Sequence, residues 1–183
     1  MYAEKNNSCS FLKATPIKKS TAMAPQPTKE TNLILRHLLA TIAYRLTKCL
    51  ADGEDEFMRF DSGSGVRKPF EILYHMSSVL SFCLAEIEKR DVIRPVALPE
   101  EQATTQFFNL LQATDNALTG KEVELDTALK LIQGPLADML THVGQLALLR
   151  RYYNKPIQAE NFMRAKVQIG VIAPEKQELA TSL

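Results

Sequence analysis

The 183-residue chain has no tryptophan, only three cysteines and only three histidines. Without tryptophan it lacks the usual aromatic anchor for nucleic-acid bases, sugars and membrane interfaces. Cys9, Cys49 and Cys83 are an odd number at wide spacing, with no C-x-x-C pair. This argues against a disulfide framework and makes a reducing, cytoplasmic compartment the expectation. Cys49 and Cys83 lie among Leu, Thr and Ser in helical patterns, where a small buried hydrophobe is expected. Seven glycines and nine prolines exclude collagen-like or low-complexity character. No apolar run approaches the roughly 20 residues that span a bilayer, so no membrane partner is expected. The glycines of Asp61-Ser-Gly-Ser-Gly-Val66 suggest a flexible turn; no phosphate-cradling G-x-x-x-x-G-K-[ST] or G-x-G-x-x-G context is present.

What remains is ordinary for a globular domain: 45% hydrophobic and 23% charged residues, with a formal net charge of +1. The balance is uneven. Residues 1–30 hold five lysines against Glu4 and Glu30, which leaves 17 basic and 19 acidic groups for residues 31–183. A mildly acidic body with no Arg/Lys stripe is a poor match for a phosphate backbone, so nucleic acid is not an expected ligand. Residues 1–30, rich in Ser, Thr, Lys, Asn and Pro, read as a flexible N-terminal tail, with Met23 as an alternative start.

From residue 31 the pattern is helical. Thr31 or Asn32 can cap a first helix whose apolar set is Leu33, Ile34, Leu38, Ile42, Leu46 and Leu50, stopped by Asp52-Gly53. Residues 53–68 read as a polar loop. Pro69 suits the first position of a second helix running to about Lys89, with Glu71 in its first turn. A third helix follows Pro99-Glu-Glu and ends at Gly120. Asp126 can cap a fourth stretch, which Gly134-Pro135 must break or kink before it resumes from Leu136 to Tyr152 or Tyr153. Residues 157–173 add a short helical piece, and 174–183 are expected to fray. Long helices, short connections and no alternating strand runs predict an all-α, antiparallel four-helix bundle over residues 31–173, with a short extra C-terminal helical segment.

The histidines are His37, His75 and His142. His75 falls in the middle of the apolar face of the second helix, four residues after Glu71. His142 lies four residues after Asp138 in the last long helix, and an i, i+4 pair shares one helix face. His75 and the Asp138–His142 pair can therefore converge in the bundle interior. Two imidazoles and a carboxylate make a three-ligand site with open positions, suited to zinc, nickel, iron or manganese. Each residue also has a plainer role. A histidine on an apolar face is commonly a satisfied core residue, and Asp138 or Glu71 can simply complement a helix N-terminus. His37, beside Arg36, reads as a rim residue.

Two stretches carry a resemblance. Pro69-Phe-Glu-Ile-Leu-Tyr-His75-Met resembles the helix that supplies the first metal histidine in the DinB/YfiT-like family. His142-Val-Gly-Gln-Leu-Ala-Leu-Leu-Arg-Arg-Tyr-Tyr-Asn-Lys-Pro156 is similar to that family's ending H-x-G-Q-L-x-x-L-R-R-x-x-G-x-P. The resemblance covers roughly residues 31–173. It implies a four-helix bundle with a three-histidine divalent metal site, which in some members serves thiol-dependent transferases or isomerases. The departure is Asp138, which stands where the family's H-x-x-x-H carries its first histidine. By position the implied ligands are His75, Asp138 and His142, a harder and more negative set.

Such a centre implies a small-molecule substrate, with a low-molecular-weight thiol as one candidate. A metal-bound thiol or water becomes a nucleophile near neutral pH, giving a transferase or a hydrolase acting on a small electrophile. The pocket is expected at the open end of the bundle, near Arg36 and Tyr44. The competing reading is a non-catalytic helical bundle with a degenerate site, acting as a homodimer or through a protein partner.

Overall fold

The computed structural model describes residues 29–51 and 55–179. Nearly all of the expected N-terminal tail, including Cys9, lies outside these residues, as do the Asp52-Gly53 stop and positions 180–183. The described chain is all-α, with no strand among the described residues. Its helices are α1 (Lys29–Leu50), α2 (Asp55–Met58), α3 (Pro69–Glu88), α4 (Ala103–Gly120), α5 (Leu125–Leu131) and α6 (Ala137–Tyr152). Helices α1 and α3 each pack against both α4 and α6, so the four long helices touch in a closed ring around one core. Leu35, Leu39, Ile42 and Leu46 of α1 meet Ile72, Met76 and Leu80 of α3, Phe107 and Leu111 of α4, and Met139 and Leu146 of α6 in that core.

Several elements differ in detail from the sequence reading. Leu33 and Ile34 do not face the core: they are 49% and 60% exposed, and the buried apolar stripe of α1 starts at Leu35. Neither Thr31 nor Asn32 caps α1, because the helix begins two residues earlier. Asn32 instead latches α1 to the α4–α5 connection. Its Nδ2 donates to the carbonyls of Leu118 and Lys121, and its Oδ1 accepts the Val123 amide at 3.1 Å. The 53–68 loop contains α2, whose Phe57 is completely buried against Arg150 and Tyr153. A single helical turn has no period to detect, so this plug is invisible to a pattern search. Asp126 sits inside the first turn of α5 rather than at its cap.

Gly134-Pro135 does not interrupt the helical path. Proline has no amide proton and its ring clashes with the preceding turn, and the chain absorbs both by widening. Ile132–Leu136 form a π turn in which the Ala137 amide reaches back to the Ile132 carbonyl, and α5 continues into α6. The expected C-terminal helical piece is only one 3-10 turn, Phe162–Arg164. The rest of residues 154–179 is an irregular strap. It includes another 3-10 turn at Pro174–Lys176 within the segment expected to fray.

The strap is tied to α1 by charge. Tyr44, fully buried, donates its hydroxyl proton to Glu160 Oε1 at 2.7 Å, and Lys48 pairs with Glu160 Oε2. Arg45 stacks over Phe162 at 4.0 Å. Further along, Gly170 adopts φ +86° beneath Arg36, where a Cβ would come within 3.2 Å of the guanidinium. Burial alone would raise the Glu160 carboxyl, but the hydrogen bonds from Lys48 and Tyr44 outweigh it and hold the group below its ordinary range.

Cys49 and Cys83 are buried, and burial pushes both thiols up to about 12. They are packing residues, as their sequence context suggests. A membrane-impermeant thiol reagent at neutral pH is expected to leave both unlabelled until denaturant is added, as read by peptide mass mapping.

Glu160→Gln is expected to lower stability by about 2–3 kcal/mol near neutral pH, because it leaves Lys48 buried without its counter-charge. A carboxyl held below its ordinary value contributes stability above that value, about 4.3 for glutamate, and loses it as pH falls through the folded value. The stability gap between the parent and Glu160→Gln, measured by denaturant melts, should therefore close as pH drops below this range.

Candidate metal centre

Pro69 opens α3 at its first helical position, and Glu71 Oε2 accepts the Lys68 amide at 2.7 Å, satisfying a donor at the helix start. With that start, Ile72, Leu73, Met76 and Leu80 face the core, and His75 lies beside them on the flank towards α6, half-buried. On α6, Met139, Val143 and Leu146 are buried, and His142 shares their side of the helix with a side chain only 8% exposed. Asp138 lies one turn earlier, its side chain 45% exposed.

These positions bring the three expected residues together. Asp138 Oδ2 is 3.5 Å from His75 Nε2 and 3.4 Å from His142 Nε2, and one donor atom from each residue lies within 4.8 Å of the other two. The imidazoles meet edge to face, with ring centroids 4.7 Å apart. His37 is exposed on α1 and takes no part. Glu71 stays at the start of α3, and Tyr74 turns towards the 95–98 segment, where its hydroxyl donates to the Pro95 carbonyl at 3.2 Å.

Hydrogen bonding decides what this cluster can do. His142 Nδ1 faces Gln145 Oε1 at 2.8 Å, so Nδ1 is the donor of this pair, and in the neutral ring that tautomer has its lone pair on Nε2. That Nε2 is buried and has no hydrogen-bond partner. It faces a carboxylate oxygen at 3.4 Å, too far for a sound hydrogen bond. A tetrahedral shell with donor bonds of 2.0–2.2 Å has donor–donor edges of about 3.3–3.6 Å, and both distances to Asp138 Oδ2 fall there. The residues therefore fit a divalent cation bound by two neutral imidazoles and one carboxylate. The exposed Asp138 side leaves room for a further ligand.

Gln145 is the residue whose role sequence reading missed. It belongs to the quoted ending, and only the i, i+3 geometry of α6 shows that it orients His142. The cavity beside the cluster is separate from a smaller one that Arg36 lines. It measures about 810 Å³ and is lined by His75, Tyr74, Arg67, Lys68, Phe70 and Gln106 among others, but by neither Arg36 nor Tyr44. Arg36 is instead held by Asp115 through two bonds of 2.8 and 2.9 Å, and Tyr44 belongs to the strap contact.

Helix α3 is long and apolar enough to pass a length-and-composition test for a membrane span, although no unbroken apolar run reaches that length. Fifty-six per cent of its most apolar window is buried inside the molecule, as befits a core helix with polar groups at its flank. Comparison with models of known protein families, with curated proteins and with solved structures finds no match in any of the three.

Gln145→Leu is expected to weaken divalent-metal affinity about 10–100-fold by freeing the His142 ring, with little change in the melting of the metal-free chain, because residue 145 is exposed. Competition with a chromophoric chelator measures the first, and a thermal melt the second.

Proposed function

We propose that this chain is a DinB-type metalloprotein: an antiparallel four-helix bundle, α1, α3, α4 and α5–α6, with a divalent ion held by His75, Asp138 and His142. The buried, unpartnered Nε2 of His142 facing a carboxylate oxygen and a second imidazole carries this reading. The closed ring of helix contacts supports the bundle. Two residues of the quoted ending support the resemblance. Gln145 Oε1 lies 2.8 Å from His142 Nδ1, where it would favour the tautomer that a metal-facing Nε2 needs. Asn154, where that ending has glycine, adopts φ +60°, a left-handed conformation that asparagine tolerates best after glycine.

The ion would supply Lewis acidity, lowering the pKa of a coordinated thiol or water near neutral pH. The chain's own groups have separable tasks. Gln145 holds His142, the apolar faces of α3 and α6 exclude water from one side, and Asp138 adds a charge that favours harder ions such as iron or manganese over a three-histidine set. The cavity beside His75 would receive a small electrophilic substrate, making the chain a transferase with a low-molecular-weight thiol or a hydrolase with water. The exposed Leu33 and Ile34 on α1 favour a second reading, a non-catalytic bundle that uses this face to dimerise or to bind a protein partner.

Metal analysis by mass spectrometry, on protein purified without a nickel column, separates the two. About one equivalent of metal is expected in the parent and in His37→Ala, with most of it lost in His75→Ala and His142→Ala. No binding after reconstitution with zinc, nickel, iron and manganese in turn would overturn the metal centre and leave the second reading.

A further inference from the structure

The cavity beside His75 has chemistry of its own. It lies between the start of α3, the 61–68 loop, the 95–98 segment and the first turns of α4, and its about 810 Å³ is ample for a drug-sized molecule. The ring of His75 is both a wall of this cavity and a member of the metal cluster.

The charges around it are unequally engaged. Asp61 Oδ2 lies 3.6 Å from Lys68 Nζ, and Asp61 Oδ1 accepts the Gly63 amide. Glu71 accepts the Lys68 amide within the first turn of α3, where a helix favours a carboxylate. Arg67 is exposed and pairs with no carboxylate among the described residues. Gln106, also in the lining, donates from Nε2 to the Val96 carbonyl at 3.0 Å, while its Oε1 is buried without a partner. Phe70 and Leu98 supply apolar surface.

We infer that this cavity binds a small monoanion bearing an N–H or O–H donor: its carboxylate meets Arg67, its donor meets Gln106 Oε1, and its apolar body lies against Phe70 and Leu98. N-acylated amino acids have this pattern of groups. As a statement about substrate this rests on the metal-centre reading; as a statement about the cavity it does not, since Asp138 and His142 are not among its lining residues.

Three probes separate the features. N-acetyl-L-leucine has the anion, the donor and the apolar body. N-acetyl-L-leucinamide lacks the charge, and 4-methylpentanoate lacks the amide donor. Each is titrated into the ¹⁵N-labelled full chain, both zinc-reconstituted and as the His142→Ala variant, with amide shifts followed by NMR. The acid is expected to shift Gly65, Arg67 and Gln106 and to bind about fivefold or more tightly than either comparison compound. Arg67→Gln should reduce the acid to the affinity of the amide, and Gln106→Leu should remove its advantage over 4-methylpentanoate. Equal affinity for acid and amide, shifts at other residues, or no shift with any probe overturns the inference. Probe binding to a parent chain that takes up no metal on reconstitution overturns the metal-centre reading alone; metal uptake by the parent with no probe bound overturns this inference alone.

Discussion

A buried imidazole nitrogen with no hydrogen-bond partner costs a fold about 1–3 kcal/mol, and here that atom lies 3.4 Å from a carboxylate oxygen. Burial of the α6 face containing Met139, Val143 and Leu146 forces His142 inward, and Gln145 Oε1, 2.8 Å from Nδ1, holds the ring so that Nε2 faces the cluster. A positive centre among the three donors would relieve that cost. Core packing and site chemistry are therefore one constraint, imposed from two helices.

The two helices achieve it by different means. Helix α3 starts cleanly: a proline, a carboxylate three residues beyond the preceding backbone amide, then an apolar stripe with His75 at its edge. Helix α6 inherits its direction from α5 through a widened turn. A π turn carries more than four residues per revolution, so it rotates the helix that follows relative to a straight continuation. Asp138 and His142, just beyond it, owe their facing to Pro135 as much as to their own spacing.

The long helices and the convergence of His75, Asp138 and His142 were legible because both are periodic. Apolar residues repeat at three and four, and an i, i+4 pair lies on one face whatever surrounds it. What escaped lacks a period or depends on a distant partner. The phase of α1 was misread because Leu33 and Ile34 are as apolar as Leu35 and Leu39, and only packing against the other helices selects among them. Phe57 belongs to a single turn. The roles of Arg36 and Tyr44 depend on Asp115 and Glu160, which lie 79 and 116 residues away. The buried Oε1 of Gln106 becomes visible only once α4 and the 95–98 segment close around it.

The strap contact bears on the order in which the molecule is made. Lys48 leaves the ribosome 112 residues before Glu160, and an unpaired ammonium is costly to bury. The C-terminal half of α1 must therefore remain hydrated while α3, α4 and α6 are synthesised and assembled. Contacts of such long sequence separation close late, since chain entropy must be lost before they form. Glu160 is thus the counter-ion that lets the final stretch of α1 go under, and the acquisition of a dry interior at that end of the molecule waits for nearly the whole chain.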